Sequence, residues 1–151
     1  MKIALISTPD APLLFFYLKE IVELLPNSTS VILDSNVKPK KMKDVWHERT
    51  NGYFEERLHK LFKNFGHLFS KSKFYYIDSH NSKTMKQILK REKFDYLINA
   101  GTRVKISSSI IKQVKCGIIN IHPGMLPKYR GCTCVEWAIY NDDPVANTIH
   151  L

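Results

Sequence analysis

The fold class is decided by residues 2–34, KIALISTPDAPLLFFYLKEIVELLPNSTSVILD. An apolar run over residues 2–7 predicts a buried strand. A turn with two prolines then leads into a predicted helix at Leu13–Leu25, whose apolar positions cover most of its surface. Thr29–Leu33 predicts a second strand. A strand, a helix and a strand in this order favour an α/β fold with a parallel sheet and right-handed crossovers.

The turn between the first strand and the first helix argues against two common phosphate-binding sites. A dinucleotide site places Gly-x-Gly-x-x-Gly at such a turn, and a P-loop places Gly-x-x-x-x-Gly-Lys there. The chain has no glycine before Gly52. We therefore expect neither a nicotinamide enzyme nor a P-loop nucleotide hydrolase.

The rest of the chain continues the alternation of helices and short apolar strands. Helices are predicted at about 51–65, with an interruption near Gly66, and at 84–91, 107–114 and 134–140. Strands are predicted at 74–77, 96–99, 117–121 and 148–151.

Composition indicates a single globular domain. The 151 residues are 44% hydrophobic and 25% charged, which is ordinary for a soluble domain with its own core. No apolar run approaches the ~20 residues that span a bilayer, and the N-terminus lacks the features of a signal peptide. We therefore expect a cytoplasmic protein without a membrane partner.

The net charge of +9 lies in the middle of the chain. Residues 38–93 hold 15 Lys and Arg against 6 Asp and Glu, whereas the remainder holds 8 of each. Such a segment could contact RNA or a nucleotide. The lysines are scattered and form no known nucleic-acid motif, so a solvated surface is the favoured interpretation.

Cysteine usage indicates free thiols. Cys116, Cys132 and Cys134 are odd in number and clustered late, which does not suit a disulfide framework. The Cys-x-Cys pair lacks further ligands at a workable spacing, so we expect no metal.

The stretch most indicative of chemistry is 120–131, NIHPGMLPKYRG. Asn120 and His122 close a predicted strand and, two residues apart, point to the same side. The Asn amide can donate to a developing oxyanion, and the His can exchange a proton with an attacking amine. No cysteine or serine is obviously placed beside His122, so covalent catalysis through Cys132 or Cys134 is a minor option. The alternative is structural, with the His capping a turn and the Asn satisfying backbone groups.

This stretch resembles the signature of the folate-dependent formyltransferase superfamily, which includes methionyl-tRNA, glycinamide ribonucleotide and sugar N-formyltransferases. The shared pattern is Asn-x-His, then Pro-Ser/Gly-x-Leu-Pro, then an aromatic residue, a base and Gly. Residues 95–102 and 148–151 are similar to the strands that precede and follow the signature. The resemblance covers about residues 94–151, and the N-terminal part agrees in element order only.

The resemblance implies a doubly wound, mostly parallel, Rossmann-like catalytic domain over residues 1–151. It would transfer a formyl group from 10-formyltetrahydrofolate to a primary amine, without a metal. Asn120 would polarise the formyl oxygen, and His122 would act beside it. The folate would contact Gly101, Thr102, Arg103, Ile106, Leu126 and Pro127. Tyr129 and Arg130 would anchor the loop.

The acceptor implied by the resemblance is an amino-sugar nucleotide. The chain lacks the glycine-rich loop of the purine-pathway branch, and residues 131–144 look most like sugar N-formyltransferases. The alternatives are a methionyl-tRNA formyltransferase, a 10-formyltetrahydrofolate hydrolase, and a non-catalytic folate- or RNA-binding remnant. Nucleic acid is the less favoured partner, and a homodimer is left open.

The family's third catalytic residue is an Asp a few residues beyond the strand that holds His150. That position would follow Leu151, so the domain is expected to be incomplete at its C-terminal end. Asp142 and Asp143 precede the strand, and we do not assign them this role.

Overall fold

The computed structural model describes residues 1–9, 11, 13–36, 48, 50–102 and 104–151. These residues form two compact units, Met1–Ile118 and Ile119–Leu151. None of the helices in the described ranges combines the length and apolar character needed to cross a membrane.

The described residues of the first unit form a parallel sheet and helices. Its strands are β1 (Ile3–Ser7), β2 (Thr29–Asp34), β3 (Lys73–Ile77) and β4 (Tyr96–Asn99). Its helices are α1 (Leu14–Leu24), α2 (Tyr53–Phe69), α3 (Lys83–Glu92) and α4 (Ser108–Ile111). The strands pair in parallel in the order β3-β2-β1-β4, with Ile3 opposite both Thr29 and Tyr96. The prediction of a mostly parallel α/β sheet is confirmed.

Apolar side chains cover both faces of this sheet. Every residue of β1 and β2 is buried, as expected for central parallel strands. Ala4 and Ile6 pack in a cluster with α3 residues such as Met85, whereas Leu5 packs in a second cluster with α1 residues such as Leu18. Successive residues of β1 therefore pack against helices on opposite faces of the sheet, which is the doubly wound arrangement.

Two helix predictions are wrong in their bounds. The interruption expected near Gly66 is absent, and α2 continues to Phe69, because one glycine costs a helix only about 1 kcal/mol. The helix expected at 107–114 ends at Ile111. Gln113 and Val114 donate to the carbonyls three residues back, so the chain tightens into a turn there.

The second unit consists of an antiparallel strand pair and one helix. β5 (Gly117–His122) enters it, α5 (Cys134–Tyr140) follows, and β6 (Thr148–His150) pairs with β5. Tyr129, Cys134 and Ala138 form its buried apolar cluster.

Candidate active site

Asn120 and His122 lie on β5 as predicted, and both are half-buried. The antiparallel register places Asn120 opposite His150 and His122 opposite Thr148. The Asn120 amide nitrogen lies 3.0 Å from His150 Nε2. An amide nitrogen only donates, so His150 accepts this bond through an unprotonated Nε2. The bond orients the Asn120 side chain.

The His122 ring is held by the loop that follows it. Its Nε2 lies 2.8 Å from the carbonyl oxygen of Tyr129 and 3.4 Å from the Cys134 sulfur. The expectation that no cysteine lies beside His122 is therefore wrong. The contact arises because the loop folds back and brings the first residue of α5 against the end of β5. The three cysteines are free thiols, as predicted.

Tyr129 is a buried anchor of the loop. Its hydroxyl donates to the Asp143 carboxylate and accepts from the Asn141 amide at 3.2 Å. The Lys128 ammonium donates to the same carboxylate at 2.5 Å. Lys128, and after it the Tyr129 hydroxyl, hold the pKa of Asp143 below its ordinary value. Asp143 thus fastens the loop.

Arg130 also serves the loop, since its Nε donates to the Pro127 carbonyl at 3.0 Å. The anchoring role expected of Tyr129 and Arg130 matches these contacts.

Thr148 is a site residue that sequence reasoning missed. Its hydroxyl donates to the Gly124 carbonyl at 2.7 Å and accepts from the backbone N–H of Leu126 at 3.1 Å. Leu126 is half-buried, Pro127 is exposed, and the peptide bond between them is cis. The only available signal was a hydroxyl residue at the start of a strand near the signature, which is common in many folds.

The predicted folate residues Gly101, Thr102 and Ile106 lie in the first unit. Asn99 Oδ1 accepts from the backbone N–H groups of Gly101 at 3.2 Å and of Thr102 at 2.9 Å, which closes a turn directly after β4. Gly101 has a φ of +112°, a backbone conformation that residues other than glycine rarely adopt. Arg103, also predicted to contact folate, lies outside the described residues.

Asn81 fixes the backbone on both sides of Ile106. Its amide nitrogen donates to the Lys105 carbonyl at 3.0 Å, and its oxygen accepts from the Ser107 N–H at 2.8 Å. Ile106 itself is half-buried against the core. Asn81 was predicted to lie in a turn, but its contact with Ser107 was not predicted because 26 residues separate the two.

Comparison with known proteins decides the family. The model of the formyl transferase family matches residues 41–150. The chain belongs to the formyl transferase family. The resemblance read from residues 94–151 is therefore confirmed, and the match extends well upstream of the signature.

Among curated relatives of this formyl transferase chain, methionyl-tRNA formyltransferase from Orientia tsutsugamushi is 29% identical over 143 residues, which are 95% of this chain and 42% of the relative. GDP-perosamine N-formyltransferase from Brucella melitensis is 39% identical over 49 residues, which are 32% of this chain and 19% of the relative. The chain thus spans less than half the length of these relatives.

A solved structure has the same fold. Glycinamide ribonucleotide transformylase 1 from Symbiobacterium toebii superposes with a TM-score of 0.62 at 17% identity. The match covers 99% of this chain and 65% of that one.

Proposed function

We propose that this chain supplies the Asn–His pair and the donor-binding segments of an enzyme that formylates the primary amine of an amino-sugar nucleotide. The donor proposed is 10-formyltetrahydrofolate, which supplies an activated formyl group. Family membership supports formyl transfer as the reaction class. The proposal rests on two hydrogen bonds that orient polar side chains of β5. His150 holds the Asn120 amide, and the Tyr129 carbonyl holds the His122 ring.

The proposed roles follow from the chemistry of the two side chains. Asn120 donates an amide hydrogen to the formyl oxygen, which becomes more negative as the acceptor amine attacks. The amine nitrogen bonds to the formyl carbon while the bond from that carbon to the donor nitrogen breaks. His122 takes the proton that the amine loses, and the donor nitrogen gains one. Both nitrogens finish neutral, and no enzyme nucleophile is needed.

The proposed donor-binding residues come from two segments of the chain, 101–106 and 126–127. Gly101 has no side chain and Thr102 follows it in a turn held by Asn99, so the backbone there is fixed before any ligand arrives. Leu126 and Pro127 present an apolar surface on a loop that Thr148 fixes. A backbone fixed in advance and an apolar surface are both features that suit a flat pterin ring.

The amino-sugar nucleotide is proposed as the acceptor on the resemblance of residues 131–144 to sugar N-formyltransferases. The similarity to a GDP-perosamine N-formyltransferase also supports it. The test is to give the full-length protein 10-formyltetrahydrofolate and GDP-perosamine and to detect the N-formyl product by mass spectrometry. Formate release without any amine would instead indicate a hydrolase.

Methionyl-tRNA is the second candidate acceptor, because a methionyl-tRNA formyltransferase matches 95% of this chain. An open groove in the first unit is lined by Lys90, Lys93, Lys112 and Lys115, which could contact phosphates. Transfer to methionyl-tRNA that falls steeply with salt, and that the K90E/K93E variant loses, would favour this acceptor.

A further inference from the structure

The protonation of His122 follows from its neighbours. Its Nε2 lies 2.8 Å from the Tyr129 carbonyl oxygen. A carbonyl oxygen accepts hydrogen bonds and cannot donate them, so Nε2 must carry the hydrogen. In the neutral ring the lone pair then belongs to Nδ1.

The contacts of the Cys134 thiol agree with a protonated Nε2. They also argue against the thiol as a nucleophile. The sulfur is buried and donates to the Gly131 carbonyl at 3.4 Å. The sulfur also lies 3.4 Å from His122 Nε2, and because that nitrogen carries the hydrogen the sulfur can only accept there. A base that activated this thiol would need an unprotonated Nε2, which the Tyr129 carbonyl prevents.

Gly124 makes room for both neighbours of the His122 ring. A Cβ at position 124 would lie 2.8 Å from Cys134 Cβ, 3.1 Å from its sulfur and 3.0 Å from the Tyr129 carbonyl oxygen. Distances this short force the neighbours apart. Any side chain here therefore displaces the groups that contact Nε2.

We propose that Gly124, the Tyr129 carbonyl and Cys134 hold His122 as its Nε2–H tautomer, so that Nδ1 is the nitrogen that takes the proton from the acceptor amine. This inference rests on the proposed function of His122. Gly124 and Cys134 are positioning residues that act through the His122 ring.

The test is nitrogen NMR of the full-length protein labelled with ¹⁵N-histidine, recorded at about pH 8.5, well above the ordinary pKa of an imidazole. The H122Q variant assigns the signals. We expect a protonated Nε2 and an unprotonated Nδ1. The opposite tautomer, or an average of the two, would overturn the proposal. The NMR measurement does not depend on turnover. It therefore tests the tautomer even if the wild-type protein fails to transfer formyl groups, which would contradict only the proposed function.

Variants connect the tautomer to catalysis. G124A is expected to mix the tautomers and to lower kcat about tenfold or more, because its Cβ would push against the Tyr129 carbonyl and the Cys134 side chain. C134S keeps a hydroxyl that can donate to the Gly131 carbonyl and accept from the Nε2–H of His122, so it should retain the wild-type tautomer. A G124A protein that folds and keeps wild-type kcat and tautomer would contradict the proposal, as would a C134S protein that loses the tautomer.

Discussion

Thr148 Oγ1 accepts a hydrogen bond from the backbone N–H of Leu126 at 3.1 Å, and so ties the loop after the Asn–His strand to β6. The same hydroxyl donates to Gly124 at 2.7 Å. One side chain therefore fixes two backbone positions of the proposed donor-binding loop.

Replacing Thr148 tests whether this loop binds the donor. T148V keeps the shape of the side chain and removes both hydrogen bonds, so we predict a KM for 10-formyltetrahydrofolate about tenfold higher. Steady-state kinetics with varied donor measure the effect. T148S retains the hydroxyl and serves as the matched control, with a KM near wild type. A T148V protein whose KM equals that of T148S and of the wild type would contradict donor binding by this loop.

Tyr129 is predicted to stabilise the second unit through its hydroxyl. Y129F removes the bonds to Asp143 and Asn141 while keeping the buried ring, so the thermal midpoint should fall. D143N retains an acceptor and should cause a smaller loss. Thermal melts followed by circular dichroism make the comparison, and a Y129F midpoint equal to wild type would rule out this anchoring role.

His80 is predicted to make stability depend on pH. It is fully buried, its Nε2 lies 3.4 Å from the Ile32 carbonyl, and its Nδ1 lies 3.7 Å from the Asp34 carboxylate. Burial lowers the pKa of His80 below its ordinary value of 6.5, although the Ile32 carbonyl and Asp34 oppose the shift. The unfolded chain therefore binds the proton first as the pH falls. The folded state loses stability below about pH 6.5.

The measurement for His80 is the urea midpoint between about pH 7.5 and pH 5.5. Wild-type stability should decline over this range, and the H80L variant should lose much of that decline. An equal decline in both proteins would assign the pH dependence to other groups.

Glu92 is predicted to fasten the start of β1 to the end of α3. Its carboxylate accepts from Lys2 at 2.6 Å and from Lys73 and Arg91 at 3.0 Å each, and its side chain is only 10% exposed. Lys2, followed by Tyr75 and Lys73, lowers the pKa of Glu92, so this contribution is present at neutral pH and is lost in acid.

E92Q should reduce the free energy of unfolding by about 1 kcal/mol, a modest figure because the partner side chains are largely solvated. E56Q is the control, since Glu56 and its partner Lys60 are both more than half exposed and such pairs contribute little. Denaturant titration at neutral pH compares the two. A larger loss in E56Q than in E92Q would refute the assignment.

Much of the scaffold could be predicted because it depends on local patterns. The continuous apolar runs at β1 and β2 identified central strands, and α5 was predicted with its observed bounds. Gly66 misled the prediction because a glycine is only a weak helix breaker when the helix is 17 residues long.

The contacts of the site could be predicted only in part. The spacing of Asn120 and His122 identified the chemical pair, because a strand repeats every two residues. The approach of Cys134 to His122 depends on the path of the loop and on the missing Cβ of Gly124, and neither is encoded in a periodic pattern. Thr148 and Asn81 were missed for the same reason, since each reaches a backbone group 22 or more residues away.

The most direct test of the central claim is a single assay of the full-length enzyme with 10-formyltetrahydrofolate and GDP-perosamine, read by mass spectrometry. We predict an N-formylated sugar nucleotide with the wild type and the loss of nearly all product with N120A and H122A, in proteins that melt like wild type. The absence of product from a folded wild type, or undiminished product from H122A, would contradict the account.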